Sequence, residues 1–202
     1  MKKFYTAIVA FILALSCLSI SAMAMTDTYT VVKGDSLWKI AVKYQVGLSE
    51  IIEANPQFTN PDLIYPGQKV YVPLPDSEIT SYEQQVIDLV NEQRVKSGLK
   101  ALTANWELSR VARYKSQDMH DKKYFSHTSP TYGSPFDMMK SFGISYRYAG
   151  ENIAQGYKTP AAVMGGWMNS SGHRANILNS SYTQIGVGYV ADGNYWTQMF
   201  IG

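Results

Sequence analysis

Cysteine is almost absent: the 202 residues hold one, Cys17, inside an apolar N-terminal stretch. A single thiol excludes an internal disulfide, so stability must come from buried cores rather than cross-links. Charge imbalance is missing too, with 18 Lys and Arg against 16 Asp and Glu. Histidine is scarce, three in all, and no H-E-x-x-H spacing sets two of them on one helix. That removes the firmest sequence mark of a zinc hydrolase. Beyond the N-terminus no apolar run approaches the ~20 residues that a membrane-spanning helix needs.

What is present begins with a leader. Lys2 and Lys3 precede an unbroken apolar run, Phe4 to Leu15, and Ser21-Ala22-Met23-Ala24 supplies small residues at the cleavage positions. This is the pattern of a secretory signal peptide over residues 1–24, cut after Ala24. A retained anchor is the alternative, as is acylation of Cys17, although Ala14-Leu15-Ser16 matches a Leu-led lipobox poorly. Cleavage removes Lys2, Lys3 and no acid, which brings basic and acidic side chains level. A neutral mature chain gives no electrostatic case for nucleic acid. It also carries no thiol, which excludes cysteine chemistry, and no transmembrane segment.

Residues 28–73 read β-α-α-β. Tyr29-Thr30-Val31-Val32 predicts a strand, and Asp35 or Ser36 caps a helix with Leu37, Ile40, Ala41 and Tyr44 on one face. Val46 to Ala54 predicts a second helix with Leu48, Ile51 and Ile52 inward, stopped by Asn55-Pro56. Lys69 to Pro73 predicts a closing strand. The runs Tyr29 to Ala41, Ile51 to Pro56 and Ile64 to Pro73 closely resemble a LysM domain over its whole length. The resemblance implies binding of peptidoglycan or another N-acetylglucosamine-containing glycan, in a groove between Gly34-Asp35-Ser36-Leu37 and Leu63-Ile64-Tyr65-Pro66. Leu37, Ile64 and Tyr65 are expected to offer apolar contact, unless Leu37 and Ile64 are core residues.

Residues 74–78 form a short, Pro-containing linker that allows some reorientation. Residues 79–202 predict helices over Ile79 to Ser97, over Trp106 to Lys122 with Asn105 as cap, from Ser134-Pro135 using Phe136, Met139 and Phe142, and from Thr159-Pro160. A hairpin follows, Gln184 to Ala191 and Tyr195 to Phe200 across Asp192-Gly193-Asn194, with further strands near Tyr148 to Gln155. The expected class is α+β, a small βααβ unit followed by an α-β-α sandwich. The segments Val90-Asn91-Glu92-Gln93-Arg94, Tyr124-Phe125-Ser126-His127, Ala149-Gly150-Glu151-Asn152-Ile153-Ala154, Trp167 to Leu178, and Ile185-Gly186-Val187-Gly188 occur in the order of a CAP domain. The resemblance is to the bacterial SCP-like branch of this superfamily, which includes cysteine-rich secretory, antigen 5 and pathogenesis-related proteins.

The resemblance implies a cleft of His and acidic residues that sometimes holds a divalent metal. His127 and Glu151 match it. Ser170 stands where the family has a second Glu, and Ser181 where it has a second His, so the usual set is incomplete. His173 belongs to the bacterial pattern, and its ring is expected in the same cleft. Several chemistries stay open on these residues. His127, Glu151 and His173 are candidate Zn2+ ligands, and Ser170 with His173 is a candidate hydrolytic pair. A glycosidase would need a second carboxylate, for which Asp137 or Asp192 is an arbitrary choice. In the plainer reading Glu151 accepts buried backbone donors, Asn152 ties two loops, and Ser171 caps the turn at Gly172, braced by Arg174 and Asn176. His120, beside Asp118 and Asp121, reads as solvated. The expectation is a secreted, Gram-positive cell-wall protein that needs no cofactor. Its CAP cleft binds a ligand without catalysis or serves envelope or spore assembly, with a hydrolase or a lipid-binding protein as alternatives.

Overall fold

The computed structural model describes residues 25–202; the predicted leader and Cys17 lie outside the described residues. Among these no helix is long and apolar enough to cross a membrane.

The N-terminal unit is a two-stranded antiparallel sheet, β1 (Met25–Thr30) against β2 (Lys69–Leu74), with register from Met25↔Leu74 to Thr30↔Lys69. Between them lie α1 (Leu37–Tyr44) and α2 (Leu48–Ala54). Ser36, not Asp35, caps α1, its hydroxyl accepting Lys39 N at 3.2 Å. Val31, Leu37, Ile40, Ala41, Val46, Ile51, Val70 and Val72 form the core. Ile52 is exposed, contrary to expectation. Adjacent residues on a helix point ~100° apart, so Ile51 and, one turn before it, the partly buried Leu48 pack on the core while Ile52 turns away. The first strand starts four residues earlier than predicted and ends at Thr30. Val31 continues the pairing through reciprocal bonds with Gln68 O and Gly67 N, both 2.9 Å. Asn55, 1% exposed, ties the end of α2 to the closing strand by bonding Ile51 O, Tyr71 O and Tyr71 N at 2.7–2.8 Å.

The larger unit is an α-β-α sandwich. Its elements are α3 (Ser77–Lys96), β3 (Thr103–Ala104), α4 (Trp106–Asp121), α5 (Pro135–Ser141), β4 (Ala149–Gln155), α6 (Pro160–Asn169), α7 (Ser171–Ile177), β5 (Gln184–Val190) and β6 (Tyr195–Ile201). The sheet order is β3-β5-β6-β4, so β4 is an edge strand. Alternation along β5 and β6 sorts the core. Ile185, Val187, Tyr189, Trp196 and Phe200 face α3, α6 and α7, while Met199 and Ile201 face α4 and α5. The Ile185-Gly186-Val187-Gly188 motif has a steric reason: a Cβ at either glycine would overlap the α4 backbone at Leu108–Ser109 or Ala112–Arg113. Asn105 caps α4, and Ser134 with Asp137 forms a capping box on α5. Phe136, expected inside, is 42% exposed; Met138, on the opposite side of α5, takes the buried place.

Arg94, 1% exposed, donates to the carbonyls of Lys100, Ile177, Asn179 and Tyr182 and so joins α3 to the end of α7. The linker is shorter than expected, Pro75–Asp76 between β2 and α3. A further tie restrains it: Arg110 of α4 grips Glu50 of α2 at 2.6 and 2.8 Å and bonds the Ser49 hydroxyl at 2.8 Å.

Candidate functional site

Edge strand β4 carries the Gly150-Glu151-Asn152 motif, and its two faces lead to different helices. Asn152 is fully buried; its amide donates to His173 O and Gln198 Oε1, both 3.1 Å, and its oxygen accepts Asn176 Nδ2 at 2.9 Å. It therefore joins a strand to a helix and to β6, rather than two loops. The outward carbonyls of Glu151 and Ile153 are taken by Asn176 Nδ2 (3.1 Å) and the Trp167 indole (3.2 Å). Side chains thus cover a sheet edge that would otherwise invite another strand.

Glu151 points to the α4 side, its side chain 1% exposed, and Oε1 meets His127 Nδ1 at 2.7 Å. The expected buried backbone donors do not reach it, because the imidazole takes one oxygen and Oε2 is buried without a partner. His127 is half exposed. Its loop is held from beneath by Lys115, which is fully buried and donates to the carbonyls of Ser126 and His127 at 2.8 Å and to Tyr124 Oη at 3.2 Å. Burial pulls the Lys115 amine below its usual value, and the carboxylates of Glu151 and Asp118 partly restore it. Asp118 accepts Tyr124 Oη (2.6 Å), Ser129 Oγ (2.7 Å) and the Thr131 hydroxyl. Burial alone would raise its carboxyl; these bonds and the Lys122 charge outweigh burial and hold it below the usual range.

His173 lies on α7, on the other side of the β4 edge. Burial lowers its ring below the ordinary imidazole value, and the charge of His127 adds to this. Ser170 is the joint between α6 and α7 and occupies the cap position of α7. Ser171, expected as the cap, is the first residue of that helix, and no side chain caps it. Among the described residues no hydrogen bond joins Ser170 to His173. Arg174 braces the turn through Met168 O at 2.6 Å. His120 is not simply solvated: it bridges Asp121 (2.6 Å) and Asp192 (2.9 Å) and links α4 to the hairpin turn. Asp137 serves the cap of α5. Residues able to hold a divalent ion are His127 and His173, with Glu151 behind His127 as an orienting carboxylate. Among the described residues no three such side chains stand grouped for a metal.

In the smaller domain Gly34 has φ +94°, a conformation that favours glycine. Asp35 accepts Val32 N (2.8 Å) and Tyr29 Oη (2.9 Å), and Lys39 Nζ bonds Gly34 O at 2.6 Å. Leu37 is 2% exposed and belongs to the core, so its side chain offers a ligand nothing. Ile64 packs half-buried on that core. Leu63 and Tyr65 are more than half exposed, and Pro66 is exposed beside them.

Lys115, Asp118 and Glu83 escaped the sequence reading, yet a signal exists. Lys115 falls in the buried 108-111-112-115-119 stripe, and Glu83 in 83-86-87-90-94, where a charge implies a buried partner.

The model of the Cysteine-rich secretory protein family matches residues 87–200, and the LysM domain model matches residues 29–73. The uncharacterized protein YkwD of Bacillus subtilis (strain 168) is 64% identical over 126 residues, 62% of this chain and 49% of its own length. The spore coat assembly protein ExsA of Bacillus cereus is 53% identical over 45 residues, 22% of this chain and 7% of that protein. An extracellular protein with an SCP domain from Bacillus anthracis str. Ames superposes with TM-score 0.59 at 38% identity, covering 67% of this chain and 47% of that one. The chain thus spans about half or less of the length of these relatives. By these matches and by its sandwich it belongs to the cysteine-rich secretory protein (CAP) family, with a LysM domain ahead of its CAP domain.

Proposed function

We propose that the protein binds peptidoglycan, or another N-acetylglucosamine-containing glycan, through its LysM domain, at the cell wall after loss of the leader. The observation that carries this reading is the exposed Leu63-Tyr65-Pro66 surface within the LysM segment. Exposed apolar and aromatic faces suit acetamido methyls and sugar rings. The CAP cleft is read as a ligand-binding site because the half-exposed His127 ring is held at its surface by the buried Glu151 carboxylate, 2.7 Å away. The match to a spore coat assembly protein makes the spore envelope one place where this binding would serve.

Purified peptidoglycan should pull down the leader-free chain. Recovery should fall sharply for Leu63→Ala/Tyr65→Ala and vanish when residues 25–75 are deleted. Equal recovery of all three proteins removes the reading.

A second reading, a hydrolase, draws on the His127–Glu151 bond. A carboxylate on Nδ1 orients the ring and leaves Nε2 free as a base. Incubation with peptidoglycan and with peptide libraries, with and without Zn2+, tests it. Turnover lost in both Glu151→Gln and His127→Ala would establish it, and no turnover would leave the binding module.

A further inference from the structure

Where the two domains meet, a cavity of 240 Å3 opens among Gln45, Glu83, Gln84, Trp106, Ser109 and Arg113. Its floor is an ion pair. Glu83 is 3% exposed; its oxygens take Arg113 Nε at 2.8 and 2.9 Å and Nη2 at 2.6 Å, and Oε1 also accepts Tyr189 N at 3.1 Å. Glu83 is saturated, but its partner is not. Among the described residues Arg113 Nη1 makes no hydrogen bond, nor does the Trp106 indole N–H or the Gln45 side-chain amide. Gln84 uses only Nε2, on Asp88 at 2.8 Å.

The cavity therefore presents spare donors and two amides around an electrically neutral floor, beside an indole. An apolar occupant would strand those donors. An anion gains little from a guanidinium that is already paired. The set fits a neutral, acceptor-rich ring: a carbonyl on Arg113 Nη1, a ring face on Trp106, and hydroxyls on glutamine amides that both give and accept. The volume is below the ~300 Å3 at which pockets for drug-sized ligands begin, which is room for one small ring.

We propose that this cavity is a subsite for one N-acetylated sugar of the glycan held by the LysM domain. The inference rests on the glycan reading above and extends it onto the CAP domain. Gln45 ends α1, whose other end adjoins the Gly34–Leu37 loop, so one helix length, ~12 Å, separates the two. The Arg110–Glu50 clamp holds the walls, drawn from both domains, in one arrangement.

The test is a titration of the leader-free chain with N-acetylglucosamine oligomers of increasing length, followed through the tryptophan indole N–H signals by NMR. Trp167 and Trp196 are buried with their N–H groups bonded to Ile153 and Tyr157 carbonyls, which leaves Trp38 and Trp106 as reporters. The Trp106 signal should move with long oligomers and stay put with short ones. Gln84→Phe, which fills the mouth from an exposed helix position, should abolish that movement. It should also weaken long-oligomer binding about tenfold, the worth of one or two lost hydrogen bonds, and leave short-oligomer binding unchanged. Long oligomers that bind with Trp106 still, or equally to Gln84→Phe, overturn the subsite and leave the LysM reading standing. No binding of any oligomer overturns both.

Discussion

Lys115→Met removes the ammonium under the His127 loop while keeping the stem that fills its place in α4. Two bonds to carbonyls at 2.8 Å and a longer one to Tyr124 are lost. Hydrogen bonds from a charged donor contribute ~1.5–3 kcal/mol each, so the two short ones alone amount to ~3 kcal/mol at the low end. Against this, the variant no longer buries a cation, a cost that shows in the depressed amine. The sign is decided by what stays behind. Removing one member of a buried polar cluster costs ~3–5 kcal/mol because its partners remain, and here both carbonyls and the Glu151 carboxylate remain. We expect destabilisation of about 3 kcal/mol. At ~2–4 °C per kcal/mol, the CAP transition should fall by ~6–12 °C. Near-UV circular dichroism of the leader-free chain measures this, with the LysM transition as internal reference and NMR of the His127 ring reporting its bond to Glu151. A transition unmoved or raised, with His127 undisturbed, would refute the reasoning: the ammonium would then cost as much as it contributes.

Gly188→Ala drives a methyl into the α4 backbone, and overpacking against a backbone that cannot yield should destabilise by ~3 kcal/mol or more; a urea midpoint within error of wild type would count against it. Arg110→Ala frees the domain junction, and small-angle X-ray scattering should show a larger radius of gyration; an unchanged curve means that the clamp does not set the orientation. His120 is raised above its ordinary value by its bonds to Asp121 and then Asp192, with burial and Lys123 opposing. The stabilisation from this bridge is complete below the unfolded value of ~6.5 and is lost as pH rises through the higher folded value. Thermal scans across that window should therefore show a steeper loss in wild type than in Asp192→Asn, and parallel profiles would remove the bridge from the account.

The starts of α4, α5 and α6 were legible because they are local. Asn105, Ser134-Pro135 and Thr159-Pro160 announce themselves by the bond that a cap side chain makes three residues on. The two errors of facing, Ile52 and Phe136, fell on seven-residue helices. So few turns do not define a stripe, and the choice of buried side chain passes to the neighbouring element.

By itself the sequence determined the two-domain order, the α+β class, and the residues on which the family motifs rest, since periodicity and capping act within a few residues. It also placed His127 and Glu151 in one cleft, but only by resemblance. Tertiary structure alone decided that Glu151 bonds an imidazole rather than backbone, that Lys115 supports the loop which delivers that imidazole, and that Ser170 is a joint between helices. It also decided that Arg110 and Arg113 take their carboxylates from other helices. A side chain's partner across 24, 30 or 60 residues depends on which faces the packed sheet brings together. No short-range pattern encodes that.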